Sequence, residues 1–148
     1  MAFVKFKYLP HTADAAFTAY GKTEKEMIEN AAAALLNMML DVKRVRALRK
    51  GTARAAIREK ADTMENVVWF ILQDILSLVD ARKLDAYSFR LTALDRSGTS
   101  GAFTARGEIL YKRSGENLAL MSVKAVTPHG MSVTKKNGIY SVSVVVDV

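Results

Sequence analysis

The sequence predicts an α+β fold in which two α-helices pack on one face of a mixed or mostly antiparallel β-sheet. Two segments carry apolar residues at the 3.6-residue spacing of an amphipathic helix. Most of the remaining chain alternates with period two and is punctuated by glycine, and these strand-like segments outnumber the helical ones. A length of 148 residues, without an internal repeat or a long linker, predicts a single domain over residues 1–148.

Both helices have recognisable starts. The first is predicted over about Thr23–Leu40, because the capping-box pattern T-E-K-E precedes a run of apolar residues at helical spacing. The second is predicted over about Thr63–Arg82, where either Asp62 or Thr63 can cap the N-terminus and apolar residues again repeat on one face. The apolar stripes of both helices are expected to face the core.

The rest of the chain predicts strands joined by turns. Asn137-Gly138 is a strong two-residue hairpin turn, residues 97–101 form a flexible hairpin loop, and Pro128 with Gly130 predicts a turn between two strands. The predicted strands are Phe3–Leu9, Ala15–Tyr20, Thr52–Glu59, Tyr87–Asp95, Ala102–Lys112, Leu118–Thr127, Met131–Lys136 and Ile139–Val148.

Composition excludes several classes of function. The chain has no cysteine, which excludes disulfides, thiolate metal sites and cysteine nucleophiles. No stretch approaches the ~18 apolar residues of a membrane span, and the N-terminus alternates like a strand instead of carrying a cleavable apolar region. We therefore expect a cytoplasmic protein without membrane contact. No zinc motif, nucleotide-binding glycine loop or nucleophile–base arrangement is present.

The net charge of +7 is concentrated in one run. Residues 43–60 hold eight Lys or Arg against one Glu, so the rest of the chain is balanced. Such a run attracts phosphates or acidic partners, but it is equally typical of a solvated edge strand whose cations prevent unwanted pairing. No aromatic residue interleaves with the cations, which disfavours a dedicated single-strand nucleic-acid site.

Two aspartates stand out by position. In the last strand Asp147 lies on the same face as Ser141 and Ser143, opposite the all-apolar face, and it neighbours Val148. Asp14 lies where the loop after His11 enters the second strand. A hard cation such as calcium, magnesium or manganese would bind two such carboxylates with carbonyl and water oxygens, and His11 or Thr12 would orient them. The alternatives are that Asp14 caps a turn and that Asp147 is simply solvated.

A second cluster, K-A-V-T-P-H-G, begins at Lys124. Lys124 has apolar neighbours on a predicted strand and is either an exposed strand residue or a group that faces a phosphate or the carboxylates. His129 in a turn is more often exposed than catalytic, although beside a phosphate it would donate a hydrogen bond.

In combination, these motifs resemble the archease family over essentially the whole chain. The resemblance is carried by H-T-A-D at His11–Asp14, K-T-E-K-E and N-A-A-A-A-L-L-N-M-M in the first helix, V-V-W-F-I-L-Q-D-I-L in the second, V-K-A-V-T-P-H-G-M at Val123–Met131 and the final V-V-V-D-V. Three departures from the family pattern are Ala15-Ala16, Pro128 and Gln73. None of them touches the two aspartates.

The resemblance implies a sheet with two helices, related to the strand-helix-strand-strand module. It implies a protein cofactor, not a stand-alone enzyme, for the RtcB-type RNA ligase of tRNA splicing and RNA repair. Such a cofactor promotes GTP-dependent guanylylation of the ligase histidine and repeated turnover, and meets tRNA or other RNA indirectly, through the ligase. Asp14, Asp147 and Val148 would bind a divalent metal, with Lys124, His11 and His129 in support. The basic run would then dock on an acidic ligase surface.

Two other classes remain open at this point. A chaperone-like modulator of RNA-processing or tRNA-modifying enzymes would bind its partners without needing Asp14 or Asp147. A metal-dependent phosphoesterase would turn over an RNA or nucleotide phosphate alone, although no general base is evident beside the two aspartates.

Overall fold

The computed structural model describes residues 3–10 and 14–148, and within them the α+β fold is confirmed. The elements are β1 Phe6–Leu9, β2 Ala15–Gly21, α1 Glu24–Met39, α2 Val42–Ala47, β3 Ala53–Ala61, α3 Met64–Arg82, β4 Asp85–Arg96, β5 Phe103–Lys112, β6 Ala125–Lys136 and β7 Ile139–Asp147. None of the helices in these residues combines the length and apolarity that a bilayer crossing requires.

The strands form two antiparallel sheets instead of the one sheet expected. A four-stranded sheet has the order β1-β2-β7-β6, and a three-stranded sheet has the order β3-β5-β4. Each sheet joins strands that are distant in sequence, such as β2 with β7. Strand pairing of this kind depends on tertiary packing, which the local alternation of a sequence does not encode.

The two long helices join the sheets. α1 packs on β2 and β4, and α3 packs on β6 and β3, so each helix contacts both sheets. Because α1 is flanked in this way, nine of its residues are buried, from Met27 to Met39. The large, fully buried side chains, including Phe17, Leu35 and Ile71, each contribute roughly 1.5–3 kcal/mol of hydrophobic stabilisation.

The helix starts follow the predicted caps. Thr23 Oγ1 accepts a hydrogen bond from the Glu26 amide at 3.1 Å, and Thr63 Oγ1 accepts one from the Asn66 amide at the same distance. Each cap satisfies a backbone donor that has no partner within its helix. The predicted bounds of both long helices are therefore confirmed to within a residue or two.

Three elements differ from expectation. β1 begins at Phe6, and the short helix α2 was not predicted. The predicted strand Leu118–Thr127 is wrong over most of its length. Residues 120–124 are irregular, and Ala119 makes only an isolated bridge to Leu40.

The predicted turn at Pro128 and Gly130 lies inside one strand, β6, as an irregularity. Thr127 pairs with Val145 and Ser132 with Ser143, so four residues of β6 lie opposite one residue of β7. Gly130 has a φ of +71°, which a glycine adopts without steric cost. The irregularity accommodates Pro128, because β6 is an edge strand that can tolerate the missing amide donor.

Candidate metal and partner site

The strand register brings the two predicted aspartates together. In the antiparallel pair of β2 and β7, Ala15 lies opposite Val146. Asp14 immediately precedes Ala15 and Asp147 immediately follows Val146, so both aspartates lie at the same end of this strand pair, one residue beyond its last pair. Because side chains alternate along a strand, both positions belong to the same face of the sheet.

Lys124 joins the same end of the sheet from the other side of β7. Ala125, the first residue of β6, pairs with Asp147, and the Lys124 amide donates a hydrogen bond to the Asp147 carbonyl oxygen at 2.7 Å. Lys124 is exposed and lies just before the strand, not within it. Three of the predicted site residues, from three separate chain segments, are therefore neighbours.

The other predicted residues have different positions. His11 and Thr12 lie outside the described residues. His129 is exposed in the irregular stretch of β6, where its amide donates to Thr127 Oγ1 at 3.3 Å. Val148 follows the last residue of β7 and is 40% exposed. His129 is thus farther along the sheet than the aspartates, beyond the pairing of Thr127 with Val145.

The aspartates belong to the polar face of the four-stranded sheet. On that face Thr18 Oγ1 and Ser143 Oγ lie 3.2 Å apart, and Thr134 Oγ1 and Ser141 Oγ lie 2.8 Å apart. The opposite face of β7 is buried through Val142, Val144 and Val146. Asp147 is exposed and Asp14 is partly buried. Their carboxylates consequently lie at the end of a hydroxyl-lined surface where water and ions have access.

The chemistry of this donor set fits a hard divalent cation. Two carboxylates with main-chain and water oxygens are ligands that calcium, magnesium or manganese accepts. Among the residues that the structure describes, no group of three or more His, Asp or Glu side chains is arranged to hold a metal. A cation here would therefore depend on Asp14, Asp147 and main-chain oxygens, completed by water.

Side chains from α3 hold the backbone next to this site. The Trp69 indole Nε1 donates to the Val126 carbonyl at 2.7 Å, and Gln73 Oε1 accepts from the Val126 amide at 3.1 Å. β6 is an edge strand, so without α3 these groups of Val126 would have no strand partner on that side. Sequence reasoning identified Gln73 only as a departure from a family acid. Its amide oxygen accepts the same kind of hydrogen bond that a carboxylate would accept.

A second carboxylate pair joins α3 to β3. Burial, followed by a hydrogen bond and repulsion from Glu59, raises the pKa of Asp74 on α3 to about 7. Glu59 lies two residues after the buried Ile57 and two before the buried Ala61, so all three side chains are on the core side of β3. Sequence reasoning missed this pair, although a glutamate in register with buried positions indicates it.

The irregular segment before Lys124 lines one side of a cavity of about 530 Å³. The segment is fixed to the C-terminal end of α1 by hydrogen bonds from the Asp41 amide to the Leu118 carbonyl and from the Leu120 amide to the Met39 carbonyl, both 2.8 Å long. Leu120 and Met121 are nevertheless 63% and 43% exposed. Exposure of these two large side chains explains why apolar content alone mispredicted a strand here.

The model of the Archease protein family (MTH1598/TM1083) matches residues 6–148. The chain belongs to the archease family. It is 31% identical to the protein archease of Methanosarcina barkeri over 150 residues, which covers 97% of this chain and 96% of the relative. It is 32% identical to the protein archease of Methanosarcina acetivorans over 146 residues, with the same coverage of both chains. The resemblance seen in the sequence motifs is therefore confirmed.

Two solved structures share the fold. The solution structure of Methanobacterium thermoautotrophicum protein 1598 has a TM-score of 0.77 at 22% identity and covers 97% of this chain and 99% of its own. The crystal structure of a Thermotoga maritima archease, described as a possible chaperone, has a TM-score of 0.55 at 17% identity and covers 96% of each chain. At these identities the likeness supports the archease fold alone.

Proposed function

We propose that this archease-family protein activates an RtcB-type RNA ligase in tRNA splicing and RNA repair. It promotes GTP-dependent guanylylation of the ligase histidine and repeated turnover, as a protein cofactor and not as a stand-alone enzyme. The observation that carries the proposal is the position of Asp14 and Asp147 at the same end of the β2–β7 pair, beside Lys124. Family membership supplies the partner class, and the site supplies a chemical means of assisting phosphoryl chemistry.

In this proposal Asp14, Asp147 and a main-chain oxygen of Val148 hold a divalent cation. When bound, such a cation supplies positive charge that stabilises phosphate oxygens during nucleotidyl transfer. Two carboxylates at adjacent positions repel each other, so a cation between them also relieves a local electrostatic cost. This protein contributes the carboxylates and their placement, and the ligase contributes the nucleophilic histidine and the nucleotide pocket.

Lys124 has two roles in the proposal. Its amide fixes the Asp147 carbonyl and so positions the end of β7. Its exposed ammonium group is available to a phosphate oxygen of a nucleotide bound by the partner. His129, farther along β6, is assigned only a supporting contact at the edge of the docked surface.

The deciding experiment follows guanylylation of the cognate ligase at limiting ligase concentration, with radiolabelled GTP and a defined divalent metal, in the absence of RNA. We expect wild-type protein to stimulate the reaction and the isosteric variants Asp14→Asn and Asp147→Asn to lose most of the stimulation. Asp95→Asn, an exposed aspartate at the end of β4, is the matched control and should stimulate normally. Full stimulation by both site variants would refute the metal role.

Metal binding is measured separately from activity. Titration of the protein alone with calcium, magnesium or manganese should raise its melting temperature, because a ligand that binds only the folded state stabilises it. Both site variants should show a smaller rise, while Asp95→Asn should match the wild type. An equal rise in all four proteins would mean that cations bind elsewhere.

A chaperone-like modulator is the alternative, and it is favoured by the description of the structurally similar Thermotoga maritima archease as a possible chaperone. The same experiments separate the two functions. Suppression of ligase aggregation that is unaffected by Asp14→Asn and Asp147→Asn, without any effect on guanylylation, would support the chaperone-like function and reject the activator.

A further inference from the structure

The outer face of the three-stranded sheet collects cations from all three strands. β3 alternates between buried residues, such as Ala55 and Ile57, and exposed residues that point away from the core. The register adds exposed residues from β5 and β4 to the same surface. We call this surface the arginine face, defined by Arg54, Arg58, Lys60, Arg90 and Arg106.

The cations of this face are placed against one another. Arg58 of β3 lies directly opposite Arg106 of β5. Like charges at directly opposite positions destabilise a sheet. Repulsion between Arg58 and Arg106 therefore lowers the stability of the isolated protein, and an anion that lies across both guanidinium groups would relieve this repulsion.

Few acidic groups neutralise the arginine face. Glu108 lies opposite Arg90 and forms an ion pair with Arg54 at 3.0 Å. Asp95 stands at the far end, on β4 opposite Thr104. Among the described residues of this face, the Arg54–Glu108 contact is the only ion pair that the structure contains. Arg58, Arg106 and Lys60 therefore keep their charge available to an external anion.

The short helix α2 extends the positive surface at one end. The buried Lys112 ammonium donates to the carbonyl oxygens of Arg46 and Leu48, at 3.1 and 2.8 Å. Arg46 in turn donates to the Tyr87 carbonyl at 3.1 Å and stacks over the Tyr87 ring. These contacts fix α2 to the sheet, and the exposed Lys43 and Arg44 add to its charge.

The shape and composition of the face favour a polyanion over a protein. Between the cations it carries the small side chains Ala56 and Ala93, whereas protein interfaces are centred on large apolar or aromatic anchors. Arg54 to Lys60 spans about 20 Å along β3, and three strands span about 10 Å in width. Arginine predominates over lysine, and its planar fork suits bidentate phosphate contacts.

We propose that the arginine face binds the phosphate backbone of RNA. The choice of RNA among polyanions rests on the proposed function, which brings the protein to a ligase that acts on RNA ends. None of the five residues that define this face is aromatic, and the Tyr87 ring at its α2 end is covered by Arg46 and Lys112. Binding is therefore through phosphates and has little sequence preference. The protein would in this way hold the RNA next to the ligase through a surface separate from the aspartate site.

The experiment measures fluorescence anisotropy of a labelled single-stranded RNA of mixed sequence with the full chain, over a series of salt concentrations. The variant Arg58→Gln/Arg106→Gln removes two charges from the face and relieves their repulsion, so it should fold. Lys135→Gln/Lys136→Gln removes the same charge from exposed positions at the end of β6 and is the matched control.

We expect the arginine variant to lose at least about tenfold in affinity and its slope of log K against log salt to fall by about 1.4, two phosphate contacts of about 0.7 each. The control should change affinity by less than about threefold, because its charges lie outside the face. The arginine variant should still stimulate guanylylation in the RNA-free assay. That assay therefore tests the proposed function independently of RNA binding.

Three outcomes would overturn the inference. Wild-type protein that binds no RNA would do so, and so would equal losses in both variants, which would indicate a diffuse effect of net charge. The third is intact RNA binding with lost ligase stimulation in the arginine variant, which would make an acidic ligase surface the occupant of this face.

Discussion

The Asp74 carboxyl makes the stability of this protein depend on pH in an unusual direction. Burial and the neighbouring Glu59 raise the pKa of Asp74 from 3.8 to about 7. The folded chain therefore keeps this proton up to about pH 7, whereas the unfolded chain releases it near pH 4. Between about pH 4 and pH 7 the folded state therefore holds more protons than the unfolded state. The contribution of this group to stability is present at low pH and is lost as the pH rises to about 7.

We predict that Asp74→Asn is more stable than the wild type at pH 8, by about 1 kcal/mol after allowance for solvent screening of this partly exposed group. The advantage should shrink at pH 5, where wild-type Asp74 is protonated. Urea denaturation at both pH values measures the difference. Asp80→Asn, an exposed position on the same helix, is the control and should show no such dependence. If the free energy of unfolding changed equally between pH 5 and pH 8 in Asp74→Asn and Asp80→Asn, the prediction would be contradicted.

Gly21 permits the close approach of β2 to the start of α1. A Cβ atom at this position would overlap the Met27 amide nitrogen and lie 2.7 Å from the Thr23 carbonyl oxygen. Both atoms belong to the backbone, which cannot move without shifting the helix.

We predict that Gly21→Ala lowers the free energy of unfolding by about 1–3 kcal/mol, the usual cost of overpacking. Gly51→Ala is the matched control, because a Cβ atom there meets nothing within 4 Å. Chemical denaturation compares the two variants. Equal stability of the two alanine variants would show that β2 and α1 can separate at no cost.

At the scale of elements, α3 protects the open edge of β6. Trp69 donates a hydrogen bond to the Val126 carbonyl, and Gln73 accepts one from the Val126 amide. Glu65 Oε2 accepts a hydrogen bond from the Val133 amide at 3.1 Å. Three side chains of one helix thus replace the strand that would otherwise pair with this edge. The arrangement also connects α3 to the candidate site, since Val126 lies two residues after Lys124.

We predict that Trp69→Phe lowers the free energy of unfolding by about 1 kcal/mol, because the Val126 carbonyl loses its donor while the ring position stays filled. Ligase stimulation should fall as well if Val126 helps to position Lys124 and Asp147. Glu65→Gln keeps an acceptor for the Val133 amide and is the control, with stability and stimulation expected near the wild type. Unchanged denaturation midpoints for Trp69→Phe would contradict the predicted stabilisation, and unchanged ligase stimulation would argue against the positioning role.

The elements differ in how far the sequence could predict them. The caps at Thr23 and Thr63 and the Asn137-Gly138 turn depend on neighbouring residues, and these boundaries were predicted correctly. α2 is only six residues long and was missed, because its two buried valines are too few to establish a period. Residues 118–121 were mispredicted as a strand, since their backbone hydrogen bonds go to Met39 and Asp41, at the end of α1 and the start of α2, and not to a neighbouring strand.

At the scale of the whole molecule, the two sheets and the candidate site all depend on pairing between strands that are distant along the chain. The adjacency of Asp14 and Asp147 depends on the pairing of β2 with β7, which the family resemblance implied and spacing alone did not. The collection of Arg58, Arg90 and Arg106 on one face likewise depends on the β3-β5-β4 order. The sequence located only the part of that charge lying in residues 43–60, because the rest comes from strands distant along the chain.

The contacts of α1 and α3 with both sheets lead to a prediction about folding. α1 and α3 each pack on both sheets, so loss of either sheet would expose apolar surface on both helices. We therefore expect the predicted single domain to unfold as one cooperative unit. Trp69 is the only tryptophan in the chain, and its indole contacts β6, so its fluorescence reports on the four-stranded sheet.

Urea titration followed by Trp69 fluorescence and by far-UV circular dichroism should therefore give coincident transitions. Destabilisation from the three-stranded side provides the sharper test: Gly107→Ala places a Cβ atom 2.6 Å from the Arg90 carbonyl oxygen and should shift both transitions equally. Gly115→Ala lies in open space but has a φ of +74°, so it controls for local backbone strain in a loop. The contrary result would be a Gly107→Ala midpoint that shifts by circular dichroism but stays at the wild-type value by Trp69 fluorescence. That result would mean that the two sheets unfold separately and that residues 1–148 hold two units instead of one.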